Sequence, residues 1–145
     1  MKLLAIFVLT AFLGKACSSQ TQNDIKNAKV EYTANTRGFY QKIVIQNQMI
    51  SVSKERDATT MPAGKKIAAA DWKVLLAEFQ KLDLEKLPEL KGPTEKRFYD
   101  GAAIANIIIT YKDKTYESLP FDHGTPHPTI AKFVNKITAL APATR

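Results

Sequence analysis

Residues 41–53, which read QKIVIQNQMISVS, carry the clearest structural pattern in the chain. Two runs rich in β-branched residues, Gln41–Gln46 and Met49–Ser53, flank Asn47 and Gln48, and this arrangement indicates a β-hairpin with a two-residue turn. The turn brings four β-branched side chains onto one face, which favours this register: Ile45 opposite Ile50, and Ile43 opposite Val52.

A helix is predicted from Ala69 to Leu82, after a polar segment that contains Pro62 and Gly64. Apolar residues recur along it at the spacing of one helix face, which is typical of a helix that packs on a core. This stripe consists of Trp72, Leu75, Leu76, Phe79 and Leu82.

A second hairpin is predicted from Ala102–Tyr111 and Thr115–Phe121, with its turn near residues 112–114. A last helix opens at Thr125-Pro126 or His127-Pro128, since proline is accepted in the first turn of a helix, and it ends at Pro142. Its core-facing residues are Ile130, Phe133, Val134, Ile137 and Leu140.

Hairpin then helix, repeated once, predicts an α+β fold made of two ββα units. We expect two layers: a four-stranded antiparallel sheet with both helices on one face. Residues 28–34 are the candidate for a fifth strand, at the edge of the sheet. Residues 29–145 would form this single domain.

The amino terminus has the features of an export signal. Lys2 precedes an apolar stretch from Leu3 to Leu13, which is too short to cross a bilayer as a helix, and Cys17 is the only cysteine. We therefore expect residues 1–16 to be a signal peptide and residues 17–28 to be a flexible tether that starts at the lipidated Cys17. The alternative is an ordinary secretory signal, with Gly14 and Ala16 guiding cleavage.

The chain is basic, with a formal net charge of +7. Nucleic acid is nevertheless not expected as a partner, because an exported protein does not meet it, and membrane or cell-wall surfaces are favoured instead. The predicted partners are the membrane, through the lipid anchor, and an envelope protein or cell-wall component.

The leader, with Leu13 and the sequence Cys17-Ser18-Ser19, resembles the lipobox of bacterial lipoproteins. With the segments RGFY at 37–40, YDGA at 99–102 and FDHG at 121–124, the whole plan resembles uncharacterised small lipoproteins of Bacteroidetes-type bacteria. The resemblance implies a diacylglycerol on the Cys17 sulfur, with palmitate among its acyl chains, and an outer-membrane location facing the periplasm. It implies no known activity.

Both histidines lie in one loop, so Asp122, His123 and His127 are candidate ligands for a divalent metal such as zinc. Asp100 is a fourth candidate if the second hairpin turns at Asp113-Lys114. The alternative is that Asp122 shapes a turn and the histidines are loop residues. Arg37 is expected to form an ion pair with Asp100 or Asp122 if the starts of the two hairpins meet.

The sequence carries no G-x-S-x-G, phosphate-loop or H-E-x-x-H motif, so no catalytic residue is assigned and no cofactor beyond the candidate metal. The leading hypothesis is a non-enzymatic, membrane-anchored lipoprotein with a binding domain. A metal-binding module comes second and a hydrolase using the histidine loop third. The candidate contact surface is the sheet face that carries Tyr40, Lys42, Val44 and Met49.

Overall fold

The computed structural model describes residues 24–142. Within them the strands, helices and 3-10 helices follow one another in the order β1 Ala28–Thr36, β2 Phe39–Gln46, β3 Met49–Ser53, β4 Lys65–Lys66, α1 Ala69–Gln80, β5 Ile104–Tyr111, β6 Lys114–Glu117, β7 Phe121–Asp122 and α2 Pro128–Leu140, with 3-10 helices at Ile25–Asn27, Leu87–Glu89 and Lys96–Tyr99. The predicted signal peptide and the lipid attachment site Cys17 lie outside the described residues.

The fold is α+β, with an open antiparallel sheet and two α-helices, and in this respect the sequence prediction is confirmed. The strand number is corrected: the sheet has seven strands in the order β4-β3-β2-β1-β5-β6, and β7 pairs with β5. Strand β1 lies between the two predicted hairpins, β2-β3 and β5-β6, and pairs with β2 on one side and β5 on the other. The fold is therefore not made of two equivalent ββα units.

Strand β1 lies in the middle of the sheet, not at its edge as predicted. Tyr32 is opposite Ile43 on one side and Ile107 on the other, and all three side chains are buried. Alternate residues of β1 face the core while those between them are polar, as in a strand covered on one face only. Two weakly apolar residues among the inward positions, Ala28 and Ala34, make this pattern faint in the sequence.

The first predicted hairpin is confirmed residue by residue. Ile45 pairs with Ile50 and Ile43 with Val52. The turn residues Asn47 and Gln48 have positive φ values of 53° and 61°. Positive φ at both positions is the geometry of the two-residue turn whose twist matches that of paired strands.

The second hairpin turns one residue earlier than the register that the Asp100 prediction required. Lys112 and Asp113 form the turn, so Tyr111 pairs with Lys114. The returning strand is then interrupted at residues 118–120, and its continuation β7 places Asp122 opposite Ile104. Asp100 precedes β5 and does not pair with the histidine loop.

Both helices cover the same face of the sheet, and helix α1 was predicted to within two residues of its end. Their apolar stripes form one core cluster with the inward strand residues. Lys136 of α2 donates a 2.6 Å hydrogen bond to Asp71 of α1 and joins the two helices at their surface.

The predicted tether ends earlier than residue 28. Ile25 is fully buried in the core, and Asp24 caps the first 3-10 helix by accepting a hydrogen bond from the Lys26 amide. Residues 24–28 therefore belong to the domain, because removing Ile25 from the core would expose a large apolar side chain.

The opposite face of the sheet carries neither α-helix, and we call it the outer face. By strand register it consists of Lys29, Glu31, Thr33 and Asn35 in β1, Tyr40, Lys42, Val44 and Gln46 in β2, Met49, Ser51 and Ser53 in β3, Lys66 in β4, Ile104, Asn106, Ile108 and Thr110 in β5, Thr115 and Glu117 in β6, and Asp122 in β7. Between residues 24 and 142, no helix is long and apolar enough to cross a bilayer.

Candidate functional site

A buried carboxylate organises one end of the outer face. Asp122 is 1% exposed, and it accepts four hydrogen bonds from a segment some 25 residues earlier in the chain. One oxygen, Oδ2, accepts from the Thr94 hydroxyl at 2.6 Å and the Lys96 amide at 2.8 Å. The other, Oδ1, accepts from the Arg97 amide at 3.0 Å and its guanidinium at 3.1 Å.

These contacts keep Asp122 ionised. Burial alone would raise the pKa of the carboxyl, but the hydrogen bonds from Thr94, Arg97 and Lys96 outweigh it and lower the pKa from 3.8 to about 2. The negative charge is balanced by Arg97, whose side chain is only 13% exposed. Asp122 therefore ties residues 94–97 to strand β7 at any pH near neutrality.

The segment held by Asp122 presents two aromatic side chains to solvent. Phe98 is 72% and Tyr99 73% exposed. The Arg97 guanidinium carbon lies 4.4 Å from the centre of the Phe98 ring, within the range of a cation–π contact. The Tyr99 ring leaves no room for a Cβ on Gly101, which would lie 2.8 Å from it. Both rings are thus exposed and yet positioned by specific neighbours.

Two further apolar side chains are exposed in the segments around Asp122, and one of them, Leu119, lines the same groove as Phe98. Ile104, 50% exposed, is the residue opposite Asp122, and Leu119, 37% exposed, lies just before β7. We call Phe98, Tyr99, Ile104 and Leu119 the apolar platform. Next to it is an open groove of about 370 Å³, lined by Lys91, Gly92, Glu95, Arg97, Phe98, Leu119 and Pro120.

The structure does not bring the predicted metal ligands together. His123 shares a 2.6 Å hydrogen bond between its Nδ1 and the Tyr32 hydroxyl, whereas the Nδ1 of His127 accepts from the Thr129 amide and caps α2. Asp100 ends the 3-10 helix Lys96–Tyr99, in the left-handed conformation.

Among residues 24–142, no group of three or more His, Cys, Asp and Glu side chains is arranged to hold a metal ion. The predicted metal site is therefore corrected: Asp122 binds residues 94–97, and each histidine is engaged in a different part of the fold.

The histidine next to Asp122 is partly buried. Burial lowers the pKa of His123, and its ring centre lies 5.4 Å from that of Phe39. Burial also raises the pKa of its partner Tyr32, whose side chain is fully buried. The pair closes the end of the core rather than opening onto a substrate cleft.

The predicted ion pair of Asp122 exists, but with a different arginine. Arg37 lies in the exposed turn between β1 and β2, and Arg97 takes the expected place beside the carboxylate. Sequence reasoning missed Arg97 and the apolar platform because residues 91–103 have no helical or strand periodicity. The available signal was two adjacent aromatic residues, Phe98 and Tyr99, in a segment bounded by Gly92-Pro93 and Asp100-Gly101.

The predicted contact surface does form one face. Tyr40, Lys42, Val44 and Met49 all belong to the outer face by register, and Met49 is 39% exposed. Lys42 and Lys29 both lie within 3.4 Å of the Glu31 carboxylate. The apolar platform adds to this surface at one end, where Ile104 shares a row with Asn35 and Tyr40.

Fold and site together define a small α+β domain with a one-sided antiparallel sheet and an exposed apolar platform fixed by a buried ion pair. Comparison of this chain with protein-family models, with curated protein sequences and with solved structures finds no match.

Proposed function

We propose that this protein is a lipid-anchored component of the bacterial cell envelope, whose small domain binds another envelope component without catalysis. In this proposal Cys17 carries the lipid, and the protein resides in the outer membrane facing the periplasm. The proposal for the anchor rests on the short apolar leader and the single cysteine that follows it.

The apolar platform is the observation that carries the binding function. Of the six large hydrophobic side chains exposed in the described part of the chain, four belong to the platform. Exposed apolar side chains gathered in one place mark interaction surfaces far more often than scattered ones do. Because Asp122 and Arg97 hold the segment in place, little ordering would accompany binding, which favours affinity.

Neither the metal module nor the hydrolase is proposed, because no observation on the described residues favours them. The Asp122 carboxylate is engaged by Thr94, Lys96 and Arg97, and the His123 imidazole is hydrogen-bonded to a fully buried tyrosine. Binding through the outer face therefore remains the function that the geometry supports best.

Two experiments test the two halves of the proposal separately. Radiolabelled palmitate should enter the wild-type chain and not a Cys17→Ser variant; equal labelling of both would remove the anchor. For the binding domain, a photoreactive amino acid in place of Phe98 should cross-link to an envelope component in living cells. The same amino acid in place of Val74, which is 45% exposed on helix α1, is the matched control. Identical products from both positions would remove the platform as the binding site.

A further inference from the structure

We infer that the envelope component bound by the outer face is the surface of an anionic phospholipid bilayer, namely the bilayer in which Cys17 is anchored. This inference rests on the proposed function. The domain would lie along the membrane with its helices away from it, and Phe98 and Tyr99 would enter the interfacial layer.

The side chains of the platform have the chemistry of a membrane interface. Phe98 and Tyr99 offer exposed rings, and Tyr99 adds a hydroxyl that can stay in the headgroup layer. Lys96 lies two residues before Phe98 in the chain, and Lys91 lines the neighbouring groove. Long cationic side chains lay their methylenes along apolar material and keep the charge among the headgroups.

The outer face carries a small excess of positive charge, which is the sign that anionic lipid attracts. Its strand positions carry three lysines and two glutamates, Lys29, Lys42, Lys66, Glu31 and Glu117, together with Asp122, whose charge is balanced by Arg97. Without Lys2 and Lys15 of the predicted signal peptide, the formal net charge of the chain falls from +7 to +5. Each basic side chain close to an anionic membrane makes only a small contribution to binding, so the apolar platform must supply the remainder.

The length of the chain before the domain suits this orientation. Asp24 lies at the Tyr111 end of strand β5, since its amide donates to the Tyr111 hydroxyl, whereas Ile104 and the platform lie at the other end. The seven residue steps of β5 from Ile104 to Tyr111 correspond to about 24 Å. The seven steps from Cys17 to Asp24 span at most about 25 Å.

The 3-10 helix Ile25–Asn27 packs against α1, so the chain enters the domain on the helix-covered side of the sheet. A tether of up to about 25 Å exceeds the separation of about 10 Å between packed layers, so it can still place Cys17 in a bilayer that lies against the outer face. The tether also raises the effective concentration of lipid at this face, so a weak second contact suffices.

The distribution of apolar side chains favours a lipid surface over a protein partner. Met49 is exposed at one end of the outer face and the platform at the other, while Thr33, Asn106 and the only partly exposed Val44 and Ile108 lie between them. Protein interfaces concentrate their affinity in a central, desolvated cluster. A fluid bilayer needs no such centre, because it accommodates separate anchors.

Site-specific spin labelling of the full, acylated chain tests the orientation. Since Cys17 is the only cysteine and its sulfur carries the diacylglycerol, a single thiol remains in each of the variants Phe98→Cys, Met49→Cys and Val74→Cys. The labelled proteins are reconstituted in vesicles of phosphatidylglycerol and phosphatidylcholine. We expect the ratio of oxygen to nickel-complex accessibility to be several-fold higher at positions 98 and 49 than at position 74.

The inference is overturned if the label at position 98 is as accessible to the nickel complex as the label at position 74, or if shielding is as strong in pure phosphatidylcholine. Mass spectrometry of Cys17 distinguishes this failure from failure of the anchor. Should Cys17 carry no lipid, sedimentation of a Cys17→Ser chain with the same vesicles tests the face alone: adding Phe98→Ser should weaken binding about tenfold and adding Val74→Ser should not. Equal binding of these two variants overturns the inference.

Discussion

Replacing Asp122 by asparagine should cost the domain about 3 kcal/mol of stability. Asparagine keeps the size of the side chain but turns one of its two oxygens into an amino group, so two of the four hydrogen bonds from Thr94, Lys96 and Arg97 are lost. At about 1–1.5 kcal/mol each, these account for 2–3 kcal/mol. The Arg97 guanidinium, only 13% exposed, also loses its counter-ion, and breaking a buried pair in this way is strongly destabilising.

Urea unfolding of the two proteins at neutral pH measures this difference. The midpoint should fall while the slope stays unchanged, because the folded state remains compact. Asp71→Asn is the matched control: it removes an ion pair with Lys136 whose side chains are 39% and 25% exposed, and it should cost less than about 1 kcal/mol. A loss no greater for Asp122→Asn than for Asp71→Asn would refute the role given to the buried pair.

The pH dependence of this difference has a definite sign. The pKa of Asp122 is lowered in the folded protein from 3.8 to about 2. The ionised carboxylate therefore stabilises the fold above pH 3.8, and this contribution disappears as the pH falls through about 2. The wild-type protein and Asp122→Asn should thus converge in stability between pH 4 and pH 2; a constant gap would show that the charge does not contribute.

Further predictions concern the core and a turn. Tyr32→Phe removes the partner of the His123 Nδ1 and should destabilise the domain by about 1–2 kcal/mol in urea unfolding; an unchanged midpoint would argue against that hydrogen bond. Burial lowers the pKa of His123, so NMR titration of its ring should give a midpoint below 6.5. The unfolded chain then binds this proton more readily, so the folded domain should lose stability as the pH falls below 6.5. A midpoint above 6.5 would contradict this environment. Lys112 and Asp113 have positive φ values of 50° and 62°, a conformation that Asn and Gly adopt more easily. The double change Lys112→Asn and Asp113→Gly should therefore raise the stability of the domain by about 1 kcal/mol, measured as a higher Tm. A lower Tm would contradict the turn geometry.

Much of the fold follows from local pattern alone. The hairpin at residues 39–53, helix α1 and helix α2 were predicted because each buries one face, and a single buried face leaves a period of two or 3.6 in the sequence. The pairing of Ile45 with Ile50 was predictable since a shift of one residue would turn the apolar side chains to solvent.

The order of the strands was less accessible, because it depends on pairing between distant residues. Strand β1 begins with Ala28 and contains Ala34, whose small side chains are buried in the core but give little apolar signal in the sequence. Its neighbour β5 follows some 70 residues later. Nothing in the local sequence of either strand specifies the other, and only the shared core, with Tyr32 beside Ile107, selects the pairing.

In the candidate site, too, the local sequence predicted which residue matters, whereas its partners depend on contacts with a distant part of the chain. The sequence singled out Asp122 as a functional carboxylate, but a carboxylate binds metal only with oxygen lone pairs that remain available. An ionised carboxylate has about four such acceptor positions. Thr94, the Lys96 amide and both Arg97 donors supply four hydrogen bonds to them. Asp122 is therefore occupied by its own chain, and what it controls is the placement of Phe98, through the arginine that lies against that ring.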